Sequence, residues 1–220
     1  MITTLQMYEN DETLKNKYGP LICGVDESGR GAYAGPMVGA AVCFPENTFI
    51  EGIQDSKRLS FRRKAYLYEY ITEFCLSYAI SVVLPEDMDK HGMTYANRKV
   101  IVDSCKLVAR DIKNFYGMSI DLFVIDNAPE VPELSPQLMV PKADDTYYCV
   151  AAASIIAKYT RDVMMIELGK QYPEYKFENN KGYISPEHLN AINEFGLLPG
   201  IHRMKCKLEG VTFNEVSLLR

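Results

Sequence analysis

Five acidic residues stand where hydrophobic runs stop. Asp26 and Glu27 close the apolar run that begins at Ile22, Asp126 closes DLFVID, and Asp144 with Asp145 lies between QLMVP and a long hydrophobic segment. A carboxylate at the end of a buried strand is costly to leave without a partner. Carboxylates that converge there must therefore share protons, meet basic residues or bind a cation. No His or Cys stands at ligand spacing beside them, and an all-oxygen set suits Mg²⁺ or Mn²⁺ rather than zinc. Two such ions roughly 4 Å apart can stabilise both the attacking and the leaving oxygen in phosphodiester cleavage. The plainer alternative is that Asp126 begins a turn while Asp144 and Asp145 cap a helix.

The elements around these residues decide whether they can meet. Neighbouring strand residues point to opposite faces, so Asp26 and Glu27 can share a ligand only if the chain leaves strand geometry at once. Gly29 and Gly31, in ESGRG, supply the freedom to do so. LICGVD reads as a buried strand and GPMVGAAVCFP as its antiparallel partner, with YAISVVLP, DLFVID and QLMVP as further strands. Ser60 is placed to cap a helix over FRRKAYLYEYITEFC, and TYANRKVIVDSCKLVARDIKNF is helical by period. In VAAASIIAKYTRDVMMIEL, residues Ala152, Ile155, Ile156, Tyr159, Val163 and Ile166 form a core stripe. Ser154, Lys158, Arg161 and Asp162 fall on the opposite, polar and partly basic face. Ser185 followed by Pro186 opens a last helix that Gly196 closes. A meander of strands followed by alternating strands and helices predicts an α/β layer structure with a mixed sheet, rather than a doubly wound nucleotide-binding sheet.

The chain has 220 residues, 47% hydrophobic and 24% charged, enough for one compact globular domain over residues 21–220. Residues 1–20 are polar and read as a loose N-terminal extension. No stretch is long and apolar enough to span a membrane and no signal peptide opens the chain, so a cytoplasmic location is expected. The six scattered cysteines, with no C-x-x-C pair, read as reduced and mostly buried thiols. A net charge of −5 argues mildly against a nucleic-acid partner. Two basic runs offset it: KRLSFRRK, with Lys57, Arg58, Arg62, Arg63 and Lys64, and HRMKCK, with His202, Arg203, Lys205 and Lys207. Each run alone reads equally well as a solvated face; together they suggest a phosphate-facing surface.

From Ile22 to about Lys205 the chain resembles bacterial ribonuclease HII, the type 2 ribonuclease H family. The resemblance rests on five blocks in the family's order: GVDESGRGAYAGP, DSKRLS, KADDTYYCVAAASIIAKYTRD, NKGYISPEH and IHRM. It implies a ribonuclease H-like mixed sheet flanked by helices, with a small C-terminal helical part. Departures are few: Ser28 stands where alanine is usual, Asn127 where glycine often follows the third carboxylate, and Ala143 where glycine often precedes the fourth. None removes a ligand.

The resemblance also implies the roles. Asp26, Glu27, Asp126 and Asp144 would be the catalytic, metal-binding carboxylates of a two-metal site holding Mn²⁺ or Mg²⁺; Asp144, ten residues before Ser154, takes the fourth place rather than Asp145. Gly29, Arg30 and Gly31 would contact the ribose through backbone groups, Tyr183 would stack on the sugar beside the cleaved bond, and Lys57 would meet a phosphate. Tyr183 could instead pack before a helix, and Lys57 could be one exposed cation among others. The implied enzyme is a metal-dependent endonuclease. It would cut the RNA strand of RNA/DNA hybrids, and DNA at single embedded ribonucleotides, leaving 3′-hydroxyl and 5′-phosphate ends, in ribonucleotide and RNA-primer removal. It would act as a monomer with no obligate protein partner and no membrane, and EGVTFNEVSLLR holds no recognisable clamp-binding motif. The rival readings are a junction resolvase on the same fold and a catalytically silent hybrid-binding module.

Overall fold

The structure is a computed structural model that describes residues 2–126, 131–134 and 136–205. Asn127, Cys206, Lys207 and the segment EGVTFNEVSLLR, on which part of the sequence reading falls, lie outside the described residues. Five strands form one mixed sheet: β1 (Ile22–Ser28), β2 (Met37–Cys43), β3 (Ser77–Val83), β4 (Leu122–Asp126) and β5 (Gln137–Val140), in the order β3-β2-β1-β4-β5. β1, β2 and β3 pair antiparallel, β1 and β2 through the glycine-rich loop and β2 and β3 across a helical connection, while β4 adds parallel to β1 and β5 parallel to β4. A parallel neighbour requires a crossover, and the long helix α4 (Met93–Tyr116) lies in it; α2 (Phe61–Phe74) and α3 (Pro85–His91) precede it, and α5 (Tyr148–Gln171) follows β5.

The period of two along the strands sorts the core. Cys23, Val25, Met37, Ala41 and Ala79 face Val100, Ile101, Cys105, Val108 and Ile112 of α4. The opposite residues, among them Val38, Ala40 and Val42, pack against Leu67 and Ile71 of α2 and Ile155 and Ile156 of α5. α5 lies so close on the sheet that a Cβ at Gly24 would sit 2.1 Å from the Cys149 carbonyl carbon, so glycine at this place in β1 is a packing requirement. Ser60 caps α2 by accepting the Arg63 N–H, as its position predicts. The small helical part that follows α5 contains α6 (Phe177–Asn180) and α7 (Pro186–Phe195), built around Ala34, Met165, Tyr175, Phe177, Ala191 and Ile192. Ser185 and Gly196 bound α7 as expected.

Two expectations need correction. Residues Thr4–Tyr18 are no loose extension but a helix, α1, closed at its start by a reciprocal Thr3–Gln6 capping box and docked through Met7, Asp11 and Leu14. The core stripe read on α5 is also not the whole of its buried surface. Ser154, Arg161 and Asp162 are all buried, because the polar side is covered by the Ser56 turn, α2 and the small helical part, whereas Val163 and Ile166 are only half-buried. The five described cysteines are free, and Cys23, Cys43, Cys105 and Cys149 are buried. Among the described residues no helix is long and apolar enough to cross a membrane.

Candidate active site

Parallel pairing of β1 with β4 sets their C-terminal ends side by side, with Val25 opposite Ile125. Asp26 and Asp126 follow directly. Asp126 Oδ1 accepts the Ala143 N–H at 2.6 Å, which draws the 3₁₀ turn Ala143–Asp145 toward the same strand ends. Lys142 takes the left-handed conformation (φ 58°) that opens this turn, so Ala143 needs no glycine-like freedom. Asp26, Asp126 and Asp144 each bring a carboxylate oxygen within 4.8 Å of the others. Asp145 stands outside the trio and pairs with Arg58 at 2.9 Å.

Glu27 stands beside this trio rather than in it. β1 keeps strand geometry to Ser28, with Glu27 paired opposite Gly39, so the two adjacent carboxylates start from opposite faces. The departure from strand geometry expected immediately after Asp26 comes three residues later, at Gly29. Glu27 nonetheless lines the same cleft of about 290 Å³, and its buried Oε2 meets no donor among the described residues.

Crowding of anions away from water raises these carboxyls. Burial pushes Asp26 well above the ordinary aspartate value, and the charges of Glu27, Asp126 and Asp144 add to it. Burial lifts Glu27 to about 7, with Arg30 opposing and Asp126 reinforcing the shift. Asp126 is raised by burial as well, against the lowering effect of the Ala143 bond. Carboxyls raised by burial and by one another's charge are ones a hard divalent cation would relieve. The all-oxygen donors and the orphaned Glu27 Oε2 fit such a cation.

The DSK turn closes one wall. Asp55 accepts the Lys57 N–H at 2.9 Å and so caps the 3₁₀ turn Ser56–Arg58, while Ser56 Oγ and Ser154 Oγ share a buried hydrogen bond of 2.7 Å that fastens the turn to α5. Lys57 Nζ donates to Asp144 Oδ2 at 2.9 Å. Burial works against its charge, but the bond and charge of Asp144 raise its pKa above the ordinary lysine value. Part of the two basic runs is committed inside the molecule, while Arg58, Arg62, Arg63 and Lys205 stay exposed, so only part of either run can form the phosphate-facing surface read from the sequence. Lys64 is buried on Asp162 at 2.6 Å, Arg58 pairs with Asp145, and His202 and Arg203 are buried. Lys158, which shares Asp162 with Lys64 and lines the cleft, is a cation that the helical pattern alone did not single out.

The turn after β1 is built on two buried guanidinium groups. Arg161 Nε donates to Pro36 O, Nη2 to Ala34 O and Nη1 to Lys181 O, at 2.9–3.0 Å. A Cβ at Gly29, whose φ is 95°, would lie 2.2 Å from Arg161 Nε. Gly29 is thus required both by its backbone and by this arginine. Arg203 reaches Arg30 O, Gly35 O and Pro36 O at 3.0–3.2 Å. A Cβ at Gly31 would meet nothing within 4 Å, so no protein atom demands glycine there and the backbone faces open space. Tyr183 lies across the cleft, 36% exposed, its ring 5.2 Å from the Arg161 guanidinium carbon and 5.5 Å from Lys158 Nζ. The structure therefore gathers Asp26, Glu27, Gly29, Arg30, Gly31, Lys57, Asp126 and Tyr183 around one cleft, with Asp144 at its floor through Asp26, Asp126 and Lys57. Periodicity places Ser154 and Arg161 on the polar face of α5 but does not tell what they hold; for Arg203 and Ser56 the signal lies in the motif blocks IHRM and DSK themselves.

The family model of ribonuclease HII matches residues 23–208. Among curated relatives, ribonuclease HII of Bacillus cytotoxicus is 37% identical over 194 residues, spanning 88% of this chain and 71% of that protein. The solved ribonuclease H2 of Pyrococcus horikoshii OT3 superposes with a TM-score of 0.68 at 27% identity, covering 85% of this chain and 94% of that one. Ribonuclease HII of Archaeoglobus fulgidus, solved in complex with PCNA, gives a TM-score of 0.65 at 28% identity, covering 87% and 98%.

Proposed function

The chain belongs to the ribonuclease HII family, metal-dependent endoribonucleases that cleave the RNA strand of RNA/DNA hybrids, and from that premise we propose how its residues divide the work. The convergence of Asp26 and Asp126 from two strands with Asp144 from a 3₁₀ turn, and Glu27 orphaned beside them, carries the reading. These four would hold two Mn²⁺ or Mg²⁺ ions. When bound, such ions supply an activated water and stabilise charge on the scissile phosphate and the leaving oxygen.

The protein's own part is to bring the phosphodiester to these carboxylates and to refuse ordinary DNA. Lys57 and Lys158, both lining the cleft, offer positive charge to the phosphates flanking the cut. Gly31, open on its outer side, lets the turn backbone approach a ribose closely, and a groove of about 600 Å³ shares Arg30 and Gly31 with the cleft. The Tyr183 ring, backed by the Arg161 guanidinium, presents a flat face to the sugar. Cleavage on the 5′ side of the ribonucleotide, leaving 3′-hydroxyl and 5′-phosphate ends, and activity on single ribonucleotides in DNA belong to this proposal, as does action as a monomer.

A labelled DNA duplex with one ribonucleotide, an RNA/DNA hybrid and an all-DNA four-way junction, each incubated with Mg²⁺ or Mn²⁺, test it. Cutting of the first two and not of the third is expected. Cutting of the junction would mark a resolvase, and binding without turnover of any substrate a silent hybrid-binding module.

A further inference from the structure

The motif blocks NKGYISPEH and IHRM each contribute a buried histidine that the chemistry above does not use. Leu198 N lies 2.9 Å from His202 Nδ1, His202 Nε2 lies 3.1 Å from His188 Nε2, and His188 Nδ1 lies 2.9 Å from the Tyr183 carbonyl oxygen. The two ends of this chain fix its protons. An amide N–H only donates, so His202 Nδ1 carries a lone pair and its proton sits on Nε2. A carbonyl only accepts, so His188 Nδ1 carries the proton and its Nε2 the lone pair. The two Nε2 atoms then match as donor and acceptor with both rings neutral, whereas a second proton on either ring would set N–H against N–H. The surroundings agree: both rings are buried, at 0% and 1% exposure, against Tyr175 and Phe177. Burial also pushes both imidazoles below their ordinary value, His202 to about 3.

What the relay joins gives it a task. The His202 segment is zipped to the loop that follows Gly29-Arg30-Gly31: Ala34 bridges to His202, Gly35 N–H donates to Ile201 O at 2.8 Å, and Arg203 N–H donates to Tyr33 O at 2.9 Å. At the far end, His188 grips the backbone of Tyr183 itself. We propose that His188 and His202 are positioning residues that fix Tyr183 against the Gly29-Arg30-Gly31 turn and thereby set how strictly the enzyme reads a lone ribose. The inference rests on the reading of Tyr183 as the residue that faces the sugar.

The test compares His188→Leu, which removes the donor, with His188→Asn, whose side-chain amide can still reach the Tyr183 carbonyl. Each is assayed for kcat and KM on a duplex with one ribonucleotide and on a long RNA/DNA hybrid, where neighbouring 2′-hydroxyls compensate for loose placement. His188→Leu is expected to lose about 10-fold more kcat on the single ribonucleotide than on the hybrid, because misplacement strikes the transition state rather than uniform binding. His188→Asn should recover most of that loss. Equal losses on both substrates, with Asn no better than Leu, would reduce the pair to core packing and overturn the proposal. Tyr183→Ala run alongside separates the two ideas: if it changes neither substrate, the reading of Tyr183 fails first; if it impairs the single ribonucleotide while His188→Leu does not, the relay alone fails. Should His188→Leu not fold, ¹⁵N histidine spectra of the unaltered protein at pH 6 decide instead. Neutral His188 protonated on Nδ1 with neutral His202 protonated on Nε2 supports the relay, and any other pair of forms overturns it.

Discussion

The ammonium of Lys57 rests 2.9 Å from Asp144, yet its side chain is 72% exposed. Solvent screens so open a pair, and its worth to the fold is small. On the proposed reading its value lies in being an exposed cation at the edge of a crowded anionic site, within reach of Asp144 and open to a substrate phosphate. Lys57→Ala should therefore weaken hybrid binding and lower the salt dependence of binding by about one phosphate contact, with little change in which bond is cut. Binding titrations across a range of salt concentrations check this, and an unchanged slope would leave Lys57 with Asp144 alone. At this scale the carboxylates were legible because strand ends and turns are local features. The commitments of the basic residues were not: Lys64 and Asp162 are 98 residues apart in the chain, and nothing near Lys64 announces its partner.

Helix α5 begins without a cap of its own, since the Tyr147 side chain makes no capping bond. α1 supplies one from across the molecule. Asp11 accepts the Tyr148 and Cys149 N–H groups at 3.0 and 2.8 Å, and Asn10 donates to Thr146 O at 2.9 Å, so α1 holds the joint between the Asp144 turn and α5. Losing this cap in Asp11→Ala should cost about 1–2 kcal/mol. Burial raises the Asp11 carboxyl from 3.8 to about 7 despite those two bonds. Below pH about 4 it is protonated folded and unfolded alike; between about 4 and 7 the unfolded chain releases the proton first, so Asp11 subtracts stability as pH rises through that window, by up to about 1.4 kcal/mol per pH unit. Urea denaturation in a chelator should show a flatter pH dependence for Asp11→Asn than for the unaltered protein over this range; identical slopes would place the Asp11 carboxyl at an ordinary value. Most elements could be read from period and caps, as Ser60 and Ser185 illustrate. α1 could not, because its inward face offers only Met7, Asp11 and Leu14, too few apolar residues to make a stripe. The seven-residue α3 and four-residue α6 are too short to show a period.

In the molecule as a whole, sheet order makes the site. Antiparallel β2 and β3 extend one edge, and parallel β4 and β5 extend the other, so that Asp126 and the Asp144 turn arrive beside Asp26 from residues about a hundred positions on. An α/β layer structure was readable from the succession of elements, but strand order depends on pairings between distant segments that no local pattern encodes. The same non-locality hides the two arginines and two histidines that join the small helical part to the loop after β1.

The claim that these carboxylates hold the ions that drive cleavage is tested most directly by Asp126→Asn. Asparagine keeps an oxygen to accept the Ala143 N–H, so the turn should survive, but a neutral amide cannot supply the charge that holds the metals. Cleavage of an RNA/DNA hybrid at saturating Mg²⁺ or Mn²⁺ is measured beside circular dichroism and the thermal shift produced by Mn²⁺. The account predicts a folded protein with no Mn²⁺-induced stabilisation and a rate reduced well beyond tenfold, since losing a shared metal ligand should cost several kcal/mol, on the order of 1.4 kcal/mol per decade of rate. A folded variant that keeps more than about a tenth of the unaltered rate would contradict it.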